Sequence, residues 1–410
     1  MYSRFLTEQV VSALADTPAV LLQGPRQAGK STLVRALAAG PHPAEYISLD
    51  DASALATASR DPQGFIDRFD RPVILDEIQR VPELLLAIKR SVDAERVPGR
   101  FLLTGSAEVL LVPRVADSLA GRLDLATLWP LSQGELAGRR ESFLDRLFGD
   151  FEPKTLPRTA AGETWRRVVL GGFPEPLMRP NADRRASWYE AYLSTVLQRD
   201  VRDLAAIEGL VDLPRLLGLL ATRAGGLVNY SDLSRDSGMA LTTLKRYLAV
   251  LERTFLVVRL PPWSGNLGTR LVKAPKIYLN DSGLAAHLLG ATLTEDGSPP
   301  RDAGRLLETF VAMEVLKAQG WSRTRPALYH FRSHAREETD LVLEARGGDV
   351  VGIEIKAAGS VGERDFRSLR GLQQALGQRF RRGVVLYLGE ATLPFGKNLW
   401  ALPVQTLWEA

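Results

Sequence analysis

Two rhythms of apolar and polar positions run along the chain. Short, almost wholly apolar runs (Ala19-Val20-Leu21-Leu22-Gln23, Pro72-Val73-Ile74-Leu75 and Arg100-Phe101-Leu102-Leu103-Thr104) have the length and character of strands buried on both faces. Residues 45–50 and 123–128 read as two further strands, the last closed by Pro130. Between them lie helical stretches at 3–14 and 31–39, the second ended by Gly40, and a segment at 61–69 leading into the strand before Asp76. Strands alternating with helices predict a parallel sheet with helices on both faces. In such a sheet a ligand belongs at the carboxyl ends of the strands, where Gly24, Asp76 and Thr104 fall.

The pattern changes after residue 135. Residues 136–164 are less regular, and Pro153 and Pro157 mark a linker or crossover. A long helical pattern covers 188–207, with Tyr189, Tyr192, Leu193, Val196 and Leu197 along one side, and another covers 213–223. Residues 213–260 read as helix, short strand, helix, helix, strand. In that reading 232–238 is a positioning helix with its turn, 239–253 a recognition helix and 255–260 a wing strand. Leu244, Tyr247, Leu248 and Leu251 form the core side of the recognition helix. Thr242, Thr243, Lys245 and Arg246 are left outside, residue types that suit phosphates and base edges. After a loop at 292–303 rich in Gly, Pro and charge, a helix carries Glu308. Two strands at 340–343 and 351–356 are joined at Gly347-Gly348. Residues two apart on a strand share a face, so Glu354 and Lys356 point the same way, with Asp340 beside them on the partner strand.

Composition narrows the classes. A chain of 410 residues exceeds one core and predicts two or three domains. The absence of Cys excludes disulfides, thiolate zinc sites and cysteine nucleophiles, and the 4 His stand at no metal-ligand spacing. No apolar run approaches membrane-spanning length and the first residues lack a signal-peptide core, so the expectation is a cytoplasmic protein without membrane contact. A net charge of +4 and a pI near 9.3 are mildly basic and compatible with a nucleic-acid partner.

The chemistry begins at Gly24-Pro25-Arg26-Gln27-Ala28-Gly29-Lys30-Ser31-Thr32, a phosphate-cradling G-x-x-x-x-G-K-[ST] loop between a strand and a helix. Gly24 and Gly29 allow a tight turn that brings backbone N–H groups onto phosphate oxygens, and the helix starting near Lys30 turns its positive end to the same anion. Lys30 is expected to reach the terminal phosphates and Ser31 to hold Mg²⁺. Val73-Ile74-Leu75-Asp76-Glu77 has the form of a Walker B segment, with Asp76 on Mg²⁺ through water and Glu77 polarising the attacking water.

With these motifs the chain resembles the bacterial and archaeal AAA+ P-loop ATPases that carry a C-terminal domain of unknown function. The resemblance extends through Leu75-Asp76-Glu77-Ile78-Gln79, Leu103-Thr104-Gly105-Ser106, Leu119-Ala120-Gly121-Arg122, Gly171-Gly172-Phe173-Pro174, Arg199-Asp200-Val201 and Asn280-Asp281-Ser282-Gly283-Leu284. It implies ATP as the nucleotide. It also implies a γ-phosphate sensor at Thr104 or Ser106, in place of the usual Asn, and an arginine finger reaching a neighbouring subunit. Arg122 is the candidate finger and Arg114 its competitor. The C-terminal residues resemble the PD-(D/E)xK nuclease arrangement, in which Asp340, Glu354 and Glu308 would hold a divalent metal and Lys356 would orient water. Arg379, Arg381 and Arg382 cluster nearby and either hold phosphate or solvate a turn.

The expected fold is α/β. An AAA+-type P-loop core spans 1–135, a helical region with a winged helix-turn-helix spans 136–265, and a restriction-endonuclease-like domain spans 266–410. The expected function is Mg²⁺-dependent ATP hydrolysis acting on or regulated by DNA, through the winged helix and a basic C-terminal surface, in a homo-oligomer. Two alternatives stand beside it: a nucleotide-gated switch of a toxin–antitoxin or defence system with a small protein partner, and an ATP-regulated, metal-dependent nuclease.

Overall fold

A computed structural model describes residues 2–106, 121–151, 161–201, 212–264, 274–293, 298–332 and 337–409. The chain divides into two compact units, one of residues 3–130 with 253–255 and one chiefly of 131–252 with 256–410. Among the described residues no helix is long and apolar enough to cross a membrane.

The first unit holds α1 (Thr7–Leu14), β1 (Ala19–Gln23), α2 (Lys30–Ala38), β2 (Glu45–Ser48), α3 (Ala52–Arg60), α4 (Pro62–Asp67), β3 (Val73–Asp76), α5 (Leu84–Ala94), β4 (Phe101–Gly105) and β5 (Leu123–Thr127). The strands form one parallel sheet in the order β2-β3-β4-β1-β5. Its central strands are apolar up to the polar residues at their carboxyl ends (Gln23, Asp76 and Thr104), because both faces are covered. Ala19, Leu21, Val73, Leu75 and Leu103 pack with Phe65, Leu85 and Ile88, whereas Val20, Leu22, Ile74 and Leu102 pack with Val10, Val34 and Leu37. Asp51 and Asp61 cap α3 and α4 by accepting from Ser53, Ala54 and Gly64 N–H groups, and Pro62 opens α4. The register pairs Leu22 with Thr104 and Leu75 with Leu103, so the tip of β4 lies between the ends of β1 and β3.

The second unit does not divide at the expected boundary near residue 265. The helices Leu213–Ala221, Tyr230–Ser237 and Leu241–Arg253 are followed by an antiparallel ribbon of β6 (Val257–Leu260) and β7 (Lys276–Leu279), which straddles that boundary. Ile277, Leu279, Leu217 and Leu251 share one core with Leu307, Val311 and Ile353 of the last third. The long helix Ala303–Ala318 is buried nearly all round, and a helix of that kind cannot be the surface of a separate domain.

A mixed six-stranded sheet completes the unit, in the order β12-β13-β11-β10-β9-β8. Its strands are β8 (Ala327–Arg332), β9 (Glu338–Glu344), β10 (Val350–Lys356), β11 (Phe380–Tyr387), β12 (Leu393–Gly396) and β13 (Leu399–Pro403). The glycine pair near 171 and the aspartate near 281 meet in space. Asp281 caps the helix Ser282–Leu289 and also accepts from Gly172 N–H at 2.7 Å. A Cβ on Gly171 would stand 2.1 Å from Asp281 Oδ1 and the backbone there has φ +68°, so only glycine fits.

Candidate functional site

At the carboxyl end of β1 the chain turns sharply through Gly24, whose φ is +146° and where a Cβ would lie 2.2 Å from the Leu128 carbonyl oxygen. Gln27 and Gly29 also take positive φ, and α2 starts at Lys30. Lys30 is 5% exposed, and its ammonium donates to the Gly24 and Pro25 carbonyls, each at 2.9 Å. Arg4, which the motif reading missed, secures this loop from outside by donating to the Ala28 and Trp129 carbonyls at 2.6 Å. Ala28 is buried, Arg26 and Ser31 are half-buried, and Gln27 and Thr32 are exposed.

The acidic pair is organised by its neighbours. Asp76 is 3% exposed; Oδ1 accepts from the Thr104 hydroxyl and Oδ2 from the Tyr46 hydroxyl, which in turn accepts from Arg35 at 3.1 Å. Burial, and then its bond to Asp76, raises the Tyr46 pKa, so Tyr46 remains a donor. Thr104 also accepts from Glu77 N–H at 3.1 Å. Glu77 stands at φ +63°, an uncommon conformation for a carboxylate residue, and its side chain accepts from Gln79 and from Ser106, the latter at 3.3 Å. Gln79 donates to Ser106 at 2.9 Å, closing the network. Thr104 therefore touches both acidic residues, and Ser106 holds Glu77. Tyr46, Arg35 and Gln79 could not be inferred from spacing, because their roles depend on β2 lying beside β3.

These residues fit a magnesium nucleotide. The glycine turn and helix start supply N–H donors and Lys30 a cation, while each Asp76 oxygen keeps a second lone pair free for a metal-bound water. Magnesium triphosphate, when bound, would supply the electrophilic phosphorus and neutralise its charge, with Lys30, Ser31 and Asp76 as the holding groups. Arg122 opens β5 at the amino ends of the strands, away from this loop, and forms an ion pair with Asp93. It does not serve the site of its own chain. Arg114 lies outside the described residues.

Among the described residues of the second unit, two buried ionic centres stand out. In the first, Glu314 pairs with Lys317 at 2.7 Å and accepts from Gln133 N–H at 2.7 Å, while Lys317 donates to the Leu131 carbonyl at 3.0 Å. Beside it Glu141 accepts from the Ser132 hydroxyl (2.6 Å) and Gly134 N–H (2.7 Å), and burial followed by the Glu314 charge pushes its pKa up to about 8. A carboxyl raised from an ordinary 4.5 holds its proton in the folded state over a range where the unfolded chain has lost it, so stability falls as pH rises through that window. Glu141→Gln is expected to reduce this slope by up to about 1.4 kcal/mol per pH unit, read from urea midpoints between pH 5 and 8. An unaltered slope would show that Glu141 is ionised throughout.

The second centre gathers the expected nuclease-like residues around a lysine. Lys276 of β7, 1% exposed, sends its ammonium to Glu308 (2.9 Å), Asp340 (3.0 Å) and Glu338 (3.1 Å). Tyr278 donates to Glu308 at 2.8 Å. The β9–β10 ladder ends at Leu341–Ile353, and Asp340 takes the next N–H, that of Ile355, at 3.0 Å. Glu354 and Lys356 do share a face, 3.3 Å apart, and Ser368 donates to Glu354 at 2.6 Å. Of the residues expected to hold a divalent ion, Glu308 and Asp340 converge on the Lys276 ammonium in this structure, and Glu354 stands with Lys356, the residue expected to orient water. Among the described residues no group of three or more His, Asp and Glu side chains is placed to hold a metal, and an internal ammonium occupies the focus of Glu308 and Asp340. Burial alone would lower the Lys276 pKa, but the carboxylates outweigh it and hold it above its usual range. Burial and the Asp340 charge push Glu308 up to about 7 and Glu354 up to about 8. Lys276 was visible as a lysine in the apolar run Ile277-Tyr278-Leu279, and a charge in a buried strand requires a partner.

Residues 16–137 match the family described as AAA domain, 162–295 a domain of unknown function (DUF8612), and 303–407 another (DUF4143). The first unit is thus an AAA-type P-loop ATPase domain, a nucleotide-binding and hydrolysing module. Uncharacterized protein Rv2008c of Mycobacterium tuberculosis (strain ATCC 25618 / H37Rv) is 31% identical over 402 residues, which span 96% of this chain and 82% of that protein. The chain belongs to the same family as Rv2008c. An uncharacterized protein of Haemophilus influenzae is 26% identical over 262 residues, covering 61% of this chain and 58% of that one. Among solved structures, the Walker-type ATPase paby2304 of Pyrococcus abyssi is similar at 16% identity, over 70% of this chain and 96% of that one, with a TM-score of 0.44. The RuvB Holliday junction branch migration motor of Thermotoga maritima is similar at 20% identity, over 63% and 90%, with a TM-score of 0.30.

Proposed function

We propose that this protein is a Mg²⁺-dependent ATPase that acts on or is regulated by DNA as a homo-oligomer. The observation that carries the DNA reading is the arrangement around the helix Leu241–Arg253. Asn229 caps the preceding helix by accepting from Ser231 and Asp232 N–H groups, Gly238 turns the chain at φ +74°, and Ser234 donates to the Met239 carbonyl. Leu244, Tyr247, Leu248 and Leu251 are buried, whereas Thr242, Lys245 and Arg246 are exposed and Thr243 is half-buried. Leu227 bridges to Lys276 beside the β6–β7 ribbon, an element order that supports a winged helix with an open recognition face. The oligomer reading rests on Arg122, which opens an edge strand and could complete a neighbour's site once released from Asp93.

Hydrolysis measured across protein concentration, with and without duplex, single-stranded and branched DNA, tests this reading. Activity is expected to rise more steeply than protein concentration and to be stimulated by one DNA form. Lys245→Glu with Arg246→Glu is expected to abolish stimulation, leave basal turnover intact and lower the salt slope of DNA binding by about 2. Tight ATP binding with negligible turnover under every condition would favour the nucleotide-gated switch.

A further inference from the structure

Arg379, Arg381 and Arg382 stand together in sequence, but the fold separates their surroundings. Arg379 is committed within the protein, donating to the Gly348 carbonyl and to Glu344, each at 2.9 Å. Arg382 turns inward and is only 8% exposed. Its guanidinium donates to the Arg146 carbonyl at 3.0 Å and to that of Leu147, at the end of the helix Phe143–Phe148, and lies 4.6 Å from the Phe151 ring centroid. Among the described residues no carboxylate forms an ion pair with Arg382, and its buried Nε has no hydrogen-bond partner. Burial, with Arg381 and Arg146 adding like charge, pushes its pKa down to about 10.

Arg382 lines a cleft of about 770 Å³ together with Arg381, Lys397 and Asn398. Arg381, Lys397 and Asn398 are exposed. Asp150 and Asp349 also line the cleft, so its cations are only partly balanced. A buried guanidinium beside like charges, without a paired carboxylate, gains when an anion arrives. The cleft is separate from the Lys276 centre. Arg382 pairs with Val351 in register and shares the face of Val384 and Leu386, whereas Glu354 pairs with Val385 on the opposite face.

We propose that this cleft is a binding site for a phosphate-class oxyanion, held by Arg381, Arg382 and Lys397 with Asn398 as a neutral donor. The chemistry is common to free polyphosphate and to the phosphodiester backbone of nucleic acid, and the site stands apart from the helix-turn-helix reading. The test is calorimetric titration of the full chain carrying Lys30→Ala, which silences the nucleotide loop. Pyrophosphate and a 5′-phosphorylated trithymidylate serve as the two probes. Saturable binding of at least one is expected, weakened about tenfold or more by Arg381→Gln with Lys397→Gln, both exposed positions the fold tolerates. Binding of pyrophosphate alone would support a small-anion site, and tighter binding of the trinucleotide a phosphodiester site. No saturable binding of either probe, or binding undiminished in the double variant, would overturn the proposal.

Discussion

Lys30→Ala is expected to lower kcat by about 10²–10³ or more while leaving the fold intact. The ammonium is buried, already turned toward the loop at 2.9 Å from two carbonyls, and is a cation placed where the terminal phosphate charge must be met. Glu77→Gln separates water activation from binding. The amide can still bond to Ser106, so nucleotide affinity is expected to persist while kcat drops by about 10²–10⁴. Steady-state hydrolysis and nucleotide titration of the two variants read both effects, and turnover surviving in both would remove the site from this loop.

Lys276→Met is expected to be the most damaging single change in the second unit. Three carboxylates would lose their shared cation in a place where Lys276 itself is 1% exposed, and breaking a buried ionic centre in this way costs about 3–5 kcal/mol. The loss depends on pH with a definite sign. Glu308, already raised to about 7, takes up a proton more readily once the ammonium is gone, so the damage is expected to be largest near pH 8 and to shrink toward pH 5.5. Urea denaturation at both pH values checks this, and an equal loss at the two would show that packing, not charge, is the main effect. Mn²⁺ without nucleotide is expected to leave the wild-type midpoint unchanged, since the focus of Glu308 and Asp340 is filled from within.

Much of the first unit was legible because its signals are local. The three apolar runs and the two further expected strands became the five strands of one parallel sheet, and the glycine loop stands between β1 and α2. The ends of elements shifted slightly: α1 begins at Thr7 rather than residue 3, and β6 at Val257 rather than residue 255. Less legible was anything built by pairing across the chain. Arg4 on the Ala28 carbonyl, Tyr46 on Asp76 and Gln79 on Ser106 join segments that sequence distance does not relate.

What the sequence determined by itself was the phosphate loop, the acidic strand end and the alternation that makes an α/β sheet, since each depends on neighbours a few residues away. Tertiary structure alone decided that the last two expected domains share one core, and that Lys276 stands among the carboxylates read as metal ligands. Tertiary structure alone also split three consecutive-looking arginines into one committed, one exposed and one buried. The shared core follows from apolar faces closing on one another across the chain, and the two charged cases have a reason of their own. A charge in a buried strand must find partners, and which ones it finds depends on how elements far apart in sequence pack together.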